Sequence, residues 1–236
     1  MARGFNGSTD KIAVTKINLG DTHSVHLLLN WQDGADGVVL GDTNSGGAWY
    51  MPYIDGTNIY YRCGLSGTLG SVAHGGLSSG TVYSIVITRA TGTVAFFKDG
   101  SQIGTNQTIT SDTQYFSTFG MFSTGAVPAT CEISEVALWN RVLDAGEIAA
   151  LGKRYTPAHF RRGGLNYWPL IGRASPEIDL WGGNNGTLTG TSNVAHPRVI
   201  MRRRRIAGTF AGTSPPPPPP SSIPVFMHHY RQQRAA

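Results

Sequence analysis

The stretch Cys131-Glu132-Ile133-Ser134-Glu135-Val136-Ala137-Leu138-Trp139-Asn140-Arg141-Val142-Leu143-Asp144-Ala145-Gly146-Glu147-Ile148-Ala149-Ala150-Leu151 reads as a strand that runs into one short helix. Asp144 is placed to cap that helix, with Glu147 three residues on to complete a capping box. Leu143 faces Ile148 across the cap as a hydrophobic staple, and Gly152 is positioned to end the helix. Within the strand, Ile133 falls out of phase with Val136 and Leu138 at Ser134-Glu135. An extra residue there predicts a bulge that bends the strand around a curved sheet.

Outward from this stretch the chain reads as β structure. Ser24 to Trp31 puts Val25, Leu27, Leu29 and Trp31 on one face, and Tyr83, Ile85 and Ile87 repeat the pattern, so both segments are expected as half-buried strands. Thr93 to Lys98, Asp99-Gly100 and Ser101 to Ile103 form a hairpin signal, because Asp-Gly readily adopts the positive φ values of a type I′ turn. Weaker strands are expected at Val38 to Leu40, Trp49 to Ile54, Asn58 to Cys63 and Phe116 to Met121. The 31 glycines among 236 residues are scattered rather than periodic, which suits the tight turns of a sandwich and excludes a collagen-like repeat.

The length suits one sandwich core with an appendage. No apolar run approaches the roughly 20 residues that cross a bilayer, and Met1-Ala2-Arg3-Gly4 leads into the first strand without the pattern of a signal peptide. Synthesis and folding in a cytoplasm are therefore expected, with no membrane partner. In that compartment Cys63 and Cys131 read as buried free thiols, and the sequons at Asn6, Asn106 and Asn185 carry no glycosylation.

Residues 131–151, with Phe5-Asn6-Gly7-Ser8-Thr9-Asp10-Lys11-Ile12-Ala13-Val14 and Val94-Ala95-Phe96-Phe97-Lys98-Asp99-Gly100-Ser101-Gln102-Ile103-Gly104, resemble the concanavalin A-like, laminin G-like jelly roll. The resemblance covers residues 4 to 152 and implies an all-β, two-sheet jelly-roll sandwich with one short helix. Ser134 stands where the family often has Asp. Residues 165 to 200 resemble strands that come first in many such domains: Leu165-Asn166-Tyr167-Trp168-Pro169-Leu170, Ser175-Pro176-Glu177-Ile178-Asp179-Leu180 and Gly186-Thr187-Leu188-Thr189-Gly190. A permuted order is expected, with three parts to the chain: a jelly roll at 1–152, a segment at 153–200 that completes it, and a basic, proline-rich extended tail at 201–236. The same segment crossing to a neighbouring subunit is the competing arrangement.

Charge marks the same division. Residues 1 to 150 carry seven Lys and Arg against twelve Asp and Glu, while residues 151 to 236 carry twelve against two. Arg202, Arg203, Arg204 and Arg205 form the densest basic cluster; without aromatic interleaving, an acidic protein surface suits it better than nucleic acid. Pro215 to Pro220 would form a stiff polyproline II spacer of about 3.1 Å per residue. Beyond it, Phe226, Met227 and Tyr230 have the form of a tethered anchor.

Candidate sites follow from residue chemistry. Glu132 and Glu135 are three apart and point to opposite faces of a regular strand, whereas paired hydrolytic carboxylates must converge; a bulge could reunite them, but structural carboxylates are the favoured reading. No Gly-x-Ser-x-Gly setting is present, and His228-His229 lacks a third ligand, so no enzyme and no metal site are expected. His26, between apolar residues, reads as a hydrogen-bonded structural residue. Asp33, Asp36 and Asp42 lie in loops where calcium would find oxygen ligands, but three carboxylates fall short of the six or more it takes. Trp49, Tyr50, Tyr53, Tyr60 and Tyr61 would offer aromatic faces for sugar stacking, and core packing would use the same residues.

The resemblance, joined to the tail, implies a structural protein of a tailed bacteriophage particle. In that reading the sandwich faces outward as capsid decoration or adhesion module, host-surface glycan is a ligand, and residues 201–236 attach it to capsid or tail proteins. A symmetric oligomer is compatible with this. The alternative is a freestanding carbohydrate-binding lectin.

Overall fold

The computed structural model describes residues 2–32, 36–44, 47–64, 69–110, 112–172 and 175–201. Among them run, in chain order, strands β1 (Ala2–Asn6), β2 (Lys11–Gly20), β3 (Thr22–Trp31), β4 (Gly37–Val38), β5 (Leu40–Asn44), β6 (Gly47–Ile54), β7 (Asn58–Arg62) and β8 (Gly70–Ala73). There follow β9 (Val82–Ala90), β10 (Thr93–Lys98), β11 (Ser101–Thr108), β12 (Gln114–Phe119), β13 (Thr130–Trp139), helix α1 (Ala145–Gly152), β14 (Gly164–Trp168), β15 (Thr187–Thr189) and β16 (Ser192–Val194). The first sheet has the order β11-β10-β9-β3-β13-β1-β16, with β14 also on β13; the second has β15-β2-β12-β5-β6-β7-β8, with β4 on β6. Paired strands run antiparallel, giving the two-sheet jelly-roll sandwich with one short α-helix.

Strand β13 shows how the opening stretch organises the fold. Its register against β3 slips between Ser134 and Ala137, and Glu135 takes a φ of 56°, so the bulge lies where the broken alternation placed it. The bulge also changes the neighbour on the strand's other edge: Thr130 to Ile133 pair with β1, and Val136 to Trp139 pair with β14. One strand thereby fastens both the beginning of the chain and its returning C-terminal part.

Asp144 caps α1, accepting from Glu147 N at 2.8 Å while the Glu147 carboxylate accepts from Asp144 N at 3.0 Å. Leu143 and Ile148 share one buried cluster. Gly152 does not follow the helix but forms its last residue, with Lys153 as the C-cap. Its glycine is required by packing: a Cβ there would lie 2.4 Å from the backbone of Asp99 and Gly100 in the β10–β11 turn. That turn is type I′-like, with φ of 50° at Asp99 and 83° at Gly100.

The inner faces of the two sheets share one core. Val25, Leu27, Leu29, Trp31, Ile85 and Ile87 meet Met51, Ile59, Tyr61, Phe116 and Phe119. Trp168, fully buried, stands edge-on to Phe116 and Phe119, with ring centres 5.9 and 5.3 Å apart. Strand β3 departs from the half-buried expectation, because Ser24, His26, Leu28 and Asn30 on its other face are buried as well, while His23 lies on the inner side against Tyr61. On that outer side Val86, Ala137, Trp139, Leu143, Ile148, Leu151 and Tyr167 form a second apolar cluster under the helix.

The C-terminal part enters both sheets. Strand β14 pairs with β13, β15 with β2, and β16 with β1, all within the one chain. A buried ion pair joins Arg3 Nε to Glu177 Oε1 at 2.5 Å. Burial alone would raise the Asp179 carboxyl. Donors from Tyr167 N, Asn166, Trp181 N and Gly182 N outweigh that and hold it below the usual range, making Asp179 the knot of the loop.

Candidate functional site

The second sheet presents an aromatic outer face. On β7 the alternation sends Ile59 and Tyr61 into the core and leaves Asn58, Tyr60 and Arg62 on the other side. Tyr53 pairs directly with Tyr60, and Tyr50 with Arg62. Three residues apart, Tyr50 and Tyr53 would face opposite ways on a regular strand. The register shift between them brings both out, while Met51 and Ile54 stay in the core. The buried Phe122 backs the row: ring centres are 6.0 Å apart for Phe122 and Tyr50, 5.5 Å for Tyr50 and Tyr53, and 5.2 Å for Tyr53 and Tyr60. Gly41 lets this region close up, since a Cβ there would lie 2.6 Å from Val38 Cγ1 and 3.3 Å from the Phe122 ring.

Polar groups line this row. The Tyr60 hydroxyl donates to Asp55 Oδ2 at 2.5 Å, and Asn58 Nδ2 donates to the Tyr60 oxygen at 3.3 Å. Asp55 Oδ1 accepts from Thr57 N and Asn58 N at 2.7 and 2.6 Å. Burial opposes it, but these donors hold the Asp55 carboxyl below its usual range, while the carboxylate raises Tyr60. Tyr53 is raised by burial and by its bond to Asp36; burial also raises Tyr50, against the pull of Arg62. The hydroxyls are therefore neutral donors at physiological pH.

Asp55 also borders a cavity of about 260 Å³ at the end of the sandwich, lined with Trp31, Gln32, His74, Leu77 and Ser79 among others. His74 Nδ1 accepts from Gly76 N at 3.0 Å, which leaves the proton on Nε2 to reach Asp55 O at 3.3 Å. Burial, with Lys98 nearby, lowers the His74 pKa and keeps the ring neutral. Lys98 Nζ donates to the carbonyls of His74 and Gly76 at 2.6 and 3.2 Å, bracing the loop.

The five aromatic candidates thus divide. Tyr50, Tyr53 and Tyr60 form the outer row; Trp49 and Tyr61 belong to the core, Tyr61 fully buried with its hydroxyl against Arg89 and His23. Phe122, Asp55, Arg62 and the cavity residues were not among the sequence candidates. Two local signals point to them: the Asp55-Gly56 turn between two aromatic strands, and the glycine-rich run His74 to Gly80.

The carboxylates of β13, expected on opposite faces of a regular strand, both lie on the covered face because the bulge between Ser134 and Ala137 resets the alternation. Glu135 accepts from the Tyr167 hydroxyl at 2.6 Å and faces His196 Nε2 at 3.2 Å, while Glu132 accepts from Asn30 Nδ2 at 3.0 Å. His26 is fixed between Glu135 O and Ser84 Oγ, and burial lowers its pKa to about 4. Of the calcium candidates, Asp36 serves Tyr53, and Asp42 pairs with Lys16 at 2.5 Å and with Ser117 at 2.6 Å. Asp33 lies outside the described residues. Among the described residues no group of three His, Cys, Asp or Glu could hold a metal ion, and no helix is long and apolar enough to cross a membrane. Cys63 and Cys131 are free, buried thiols, the latter raised by burial. The tail candidates Arg202, Arg203, Arg204, Arg205, Phe226, Met227 and Tyr230 also lie outside the described residues.

Two antiparallel sheets, a single helix after the closing strand and an open aromatic face define a lectin-type sandwich. The chain belongs to the concanavalin A-like lectin/glucanases superfamily, whose family model matches residues 6–149. Among solved structures it is similar to a putative carbohydrate binding protein from Bacteroides ovatus, with 15% identity and a TM-score of 0.64 over 85% of this chain and 62% of that one. It is also similar to a heptameric SAP-like pentraxin from Limulus polyphemus, with 12% identity and a TM-score of 0.55 over 83% of this chain and 95% of that one. A Trypanosoma rangeli sialidase matches over 22% of its own length at a TM-score of 0.44. A comparison with curated protein sequences finds no match.

Proposed function

We propose that the protein is a glycan-binding module that uses the outer face of its second sheet. The observation that carries this is the row Tyr50, Tyr53 and Tyr60, half-buried outside the core and backed by the buried Phe122. Its flanks are Asp36, Asp55, Asn58 and Arg62. Sugar rings carry apolar C–H faces and a polar rim, so a tyrosine row with flanking hydrogen-bond groups matches both parts. The Bacteroides protein's description agrees with this reading.

The module holds glycan without cleaving it. Glu135 is engaged by Tyr167 and His196, and Glu132 by Asn30, on the face away from the tyrosine row. The finer reading is that the sandwich is displayed on a tailed bacteriophage particle, with the arginine cluster and the Phe226, Met227 and Tyr230 end as its attachment. That part rests on the sequence of the tail. The test is a glycan array with the full chain and its Tyr53→Ala and Tyr60→Ala variants. Glycan binding lost in both variants is expected, and an array with no binding overturns the module. Mass spectrometry of virions from the source culture tests display, and absence of the chain leaves the freestanding lectin.

A further inference from the structure

The cavity beside Asp55 is a second recognition element, and the tyrosine row leads to it. We propose that it receives a single neutral sugar ring at the end of a glycan chain, so that the protein recognises chain termini. This rests on the glycan-binding reading above and adds its specificity.

Four features carry the inference. The first is continuity, since one residue belongs to both parts: Asp55 accepts from Tyr60 at the end of the row and also lines the cavity. The second is size. About 260 Å³ is below the usual span of about 300 to 1,000 Å³ for pockets that enclose drug-sized ligands, so this one suits a single ring.

The third is pre-organisation. The loop from His74 to Gly80 is tied to four residues on three strands or their ends: Lys98 to the His74 and Gly76 carbonyls, Ser78 N to Tyr83 Oη at 3.1 Å, Gly80 N to Asn30 Oδ1 at 3.0 Å, and Ser79 Oγ to Gln32 Oε1 at 3.3 Å. A loop held this way loses little further freedom when a ligand enters.

The fourth is the chemistry of the lining. Trp31 and Leu77 provide apolar wall, and Gln32, Ser79 and Asp55 provide polar groups. Three donors fill three of the roughly four acceptor sites of the Asp55 carboxylate, leaving one for a sugar hydroxyl. The Trp31 indole Nε1 is itself shielded from solvent, so the residue meets a ligand as apolar wall and its indole signal reports on the cavity from behind that wall. The nearby cation, Lys98, is spent on backbone carbonyls, and the carboxylate of Asp55 repels anions. A neutral ring with several hydroxyls fits this lining, and an acidic sugar does not.

The test uses the full chain with glucose, laminarihexaose, cellohexaose and maltohexaose as neutral probes and sialyllactose as an acidic one, read by calorimetry and by the indole ¹H–¹⁵N signal of Trp31. Leu77→Trp and Ser79→Tyr each block the cavity from its rim; Tyr53→Ala removes the middle of the row. Expected is a hexaose that binds the parent and loses at least tenfold in affinity in either blocked variant. Glucose should shift the Trp31 signal in the parent and in Tyr53→Ala, but in neither blocked variant. Hexaose binding that survives both blocks and falls in Tyr53→Ala overturns the terminal pocket while the tyrosine row stands. Preference for sialyllactose overturns the neutral-ring assignment. Binding of no neutral probe overturns the pocket, and the array decides separately whether the row binds glycan.

Discussion

The two outer faces of the sandwich have opposite fates. That of the first sheet is roofed by α1 and by the returning segment, and its polar residues are consumed in fixed pairs: His26 with Glu135 O and Ser84, Glu135 with Tyr167 and His196, Asn30 with Glu132. Among the described residues that of the second sheet has no such roof over Tyr50, Tyr53 and Tyr60, which pack against one another instead. Buried polar groups without partners are costly, so a roofed face must be fully paired, and pairing removes it from recognition. The open face pays no such penalty and keeps its aromatic surface for a ligand. The glycan-binding proposal places recognition on the second sheet for this reason.

The largest break in this comparison is removal of the returning segment, which takes away part of the roof and one strand of the first sheet. A chain ending at Leu151 lacks β14, leaves an edge of β13 unpaired, and takes Trp168 and Leu170 out of the core. Truncating a buried tryptophan costs about 3 to 5 kcal/mol by itself, so Trp168→Ala should melt far below the parent and the shortened chain should aggregate. Size-exclusion chromatography and calorimetry check this. A monomeric shortened chain with the parent's melting temperature would show that the segment is an appendage.

Acid should strike the buried histidines next, His26 on the roofed face and His23 in the core against Tyr61. Both are held neutral chiefly by burial, with pKa values lowered to about 4 and about 3. A lowered histidine takes up its proton first in the unfolded chain, so stability falls as pH drops below about 6.5 and goes on falling until the native pKa is reached. For His26 alone the shift of about 2.5 units amounts to about 3 kcal/mol. His196 runs the other way. Burial would lower it, but Glu135 and Pro197 O raise it, so its contribution is full below about 6.5 and is lost as pH rises through its native value. Two deep groups outweigh one shallow group, and thermal melts from pH 8 to pH 4 should fall steeply on the acid side. A flat profile between pH 6.5 and 4.5 would contradict the neutral buried histidines.

How much of this was legible depends on whether the signal is local. The bulge, the capping box, the staple and the Asp-Gly hairpin each lie within a few residues, and each can be read from spacing. The division of the five aromatics was not legible, because it depends on a register slip between Tyr50 and Tyr53 that the residues alone do not announce. The burial of both faces of β3 was hidden for another reason: its roof arrives from more than a hundred residues away, as Ser24 Oγ meeting Arg141 O illustrates. The cavity joins three loops distant in sequence, and a glycine-rich run such as His74 to Gly80 signals a loop without its neighbours.

A smaller effect is expected from Glu135→Gln. The amide cannot serve Tyr167 and a protonated His196 as the carboxylate does, and a compromised buried bond costs about 1 to 3 kcal/mol. Calorimetry should show this loss, with the high-pH dependence attributed to His196 weakened in parallel. Turnover of laminarin or agarose by the parent, abolished in the variant, would instead make Glu135 a catalyst and overturn the binding-module reading.

The smallest effect on stability, and the sharpest test of the comparison, belongs to Tyr53→Ala. Its ring lies outside the core and touches Tyr50 and Tyr60, each contact worth about 0.5 to 1.5 kcal/mol at most. An outer position away from core, caps and buried networks changes stability by about 0.5 kcal/mol in the typical case, so the melting temperature should move by a few degrees or less. Glycan affinity should fall at least about tenfold, because the middle of the row is gone. The pair Tyr53→Ala and Trp168→Ala therefore separates the two: one variant that keeps its stability and binds weakly, one that loses much of its stability. A Tyr53→Ala protein as unstable as Trp168→Ala would mean that the row is a second core and that the open face holds the fold together rather than a ligand.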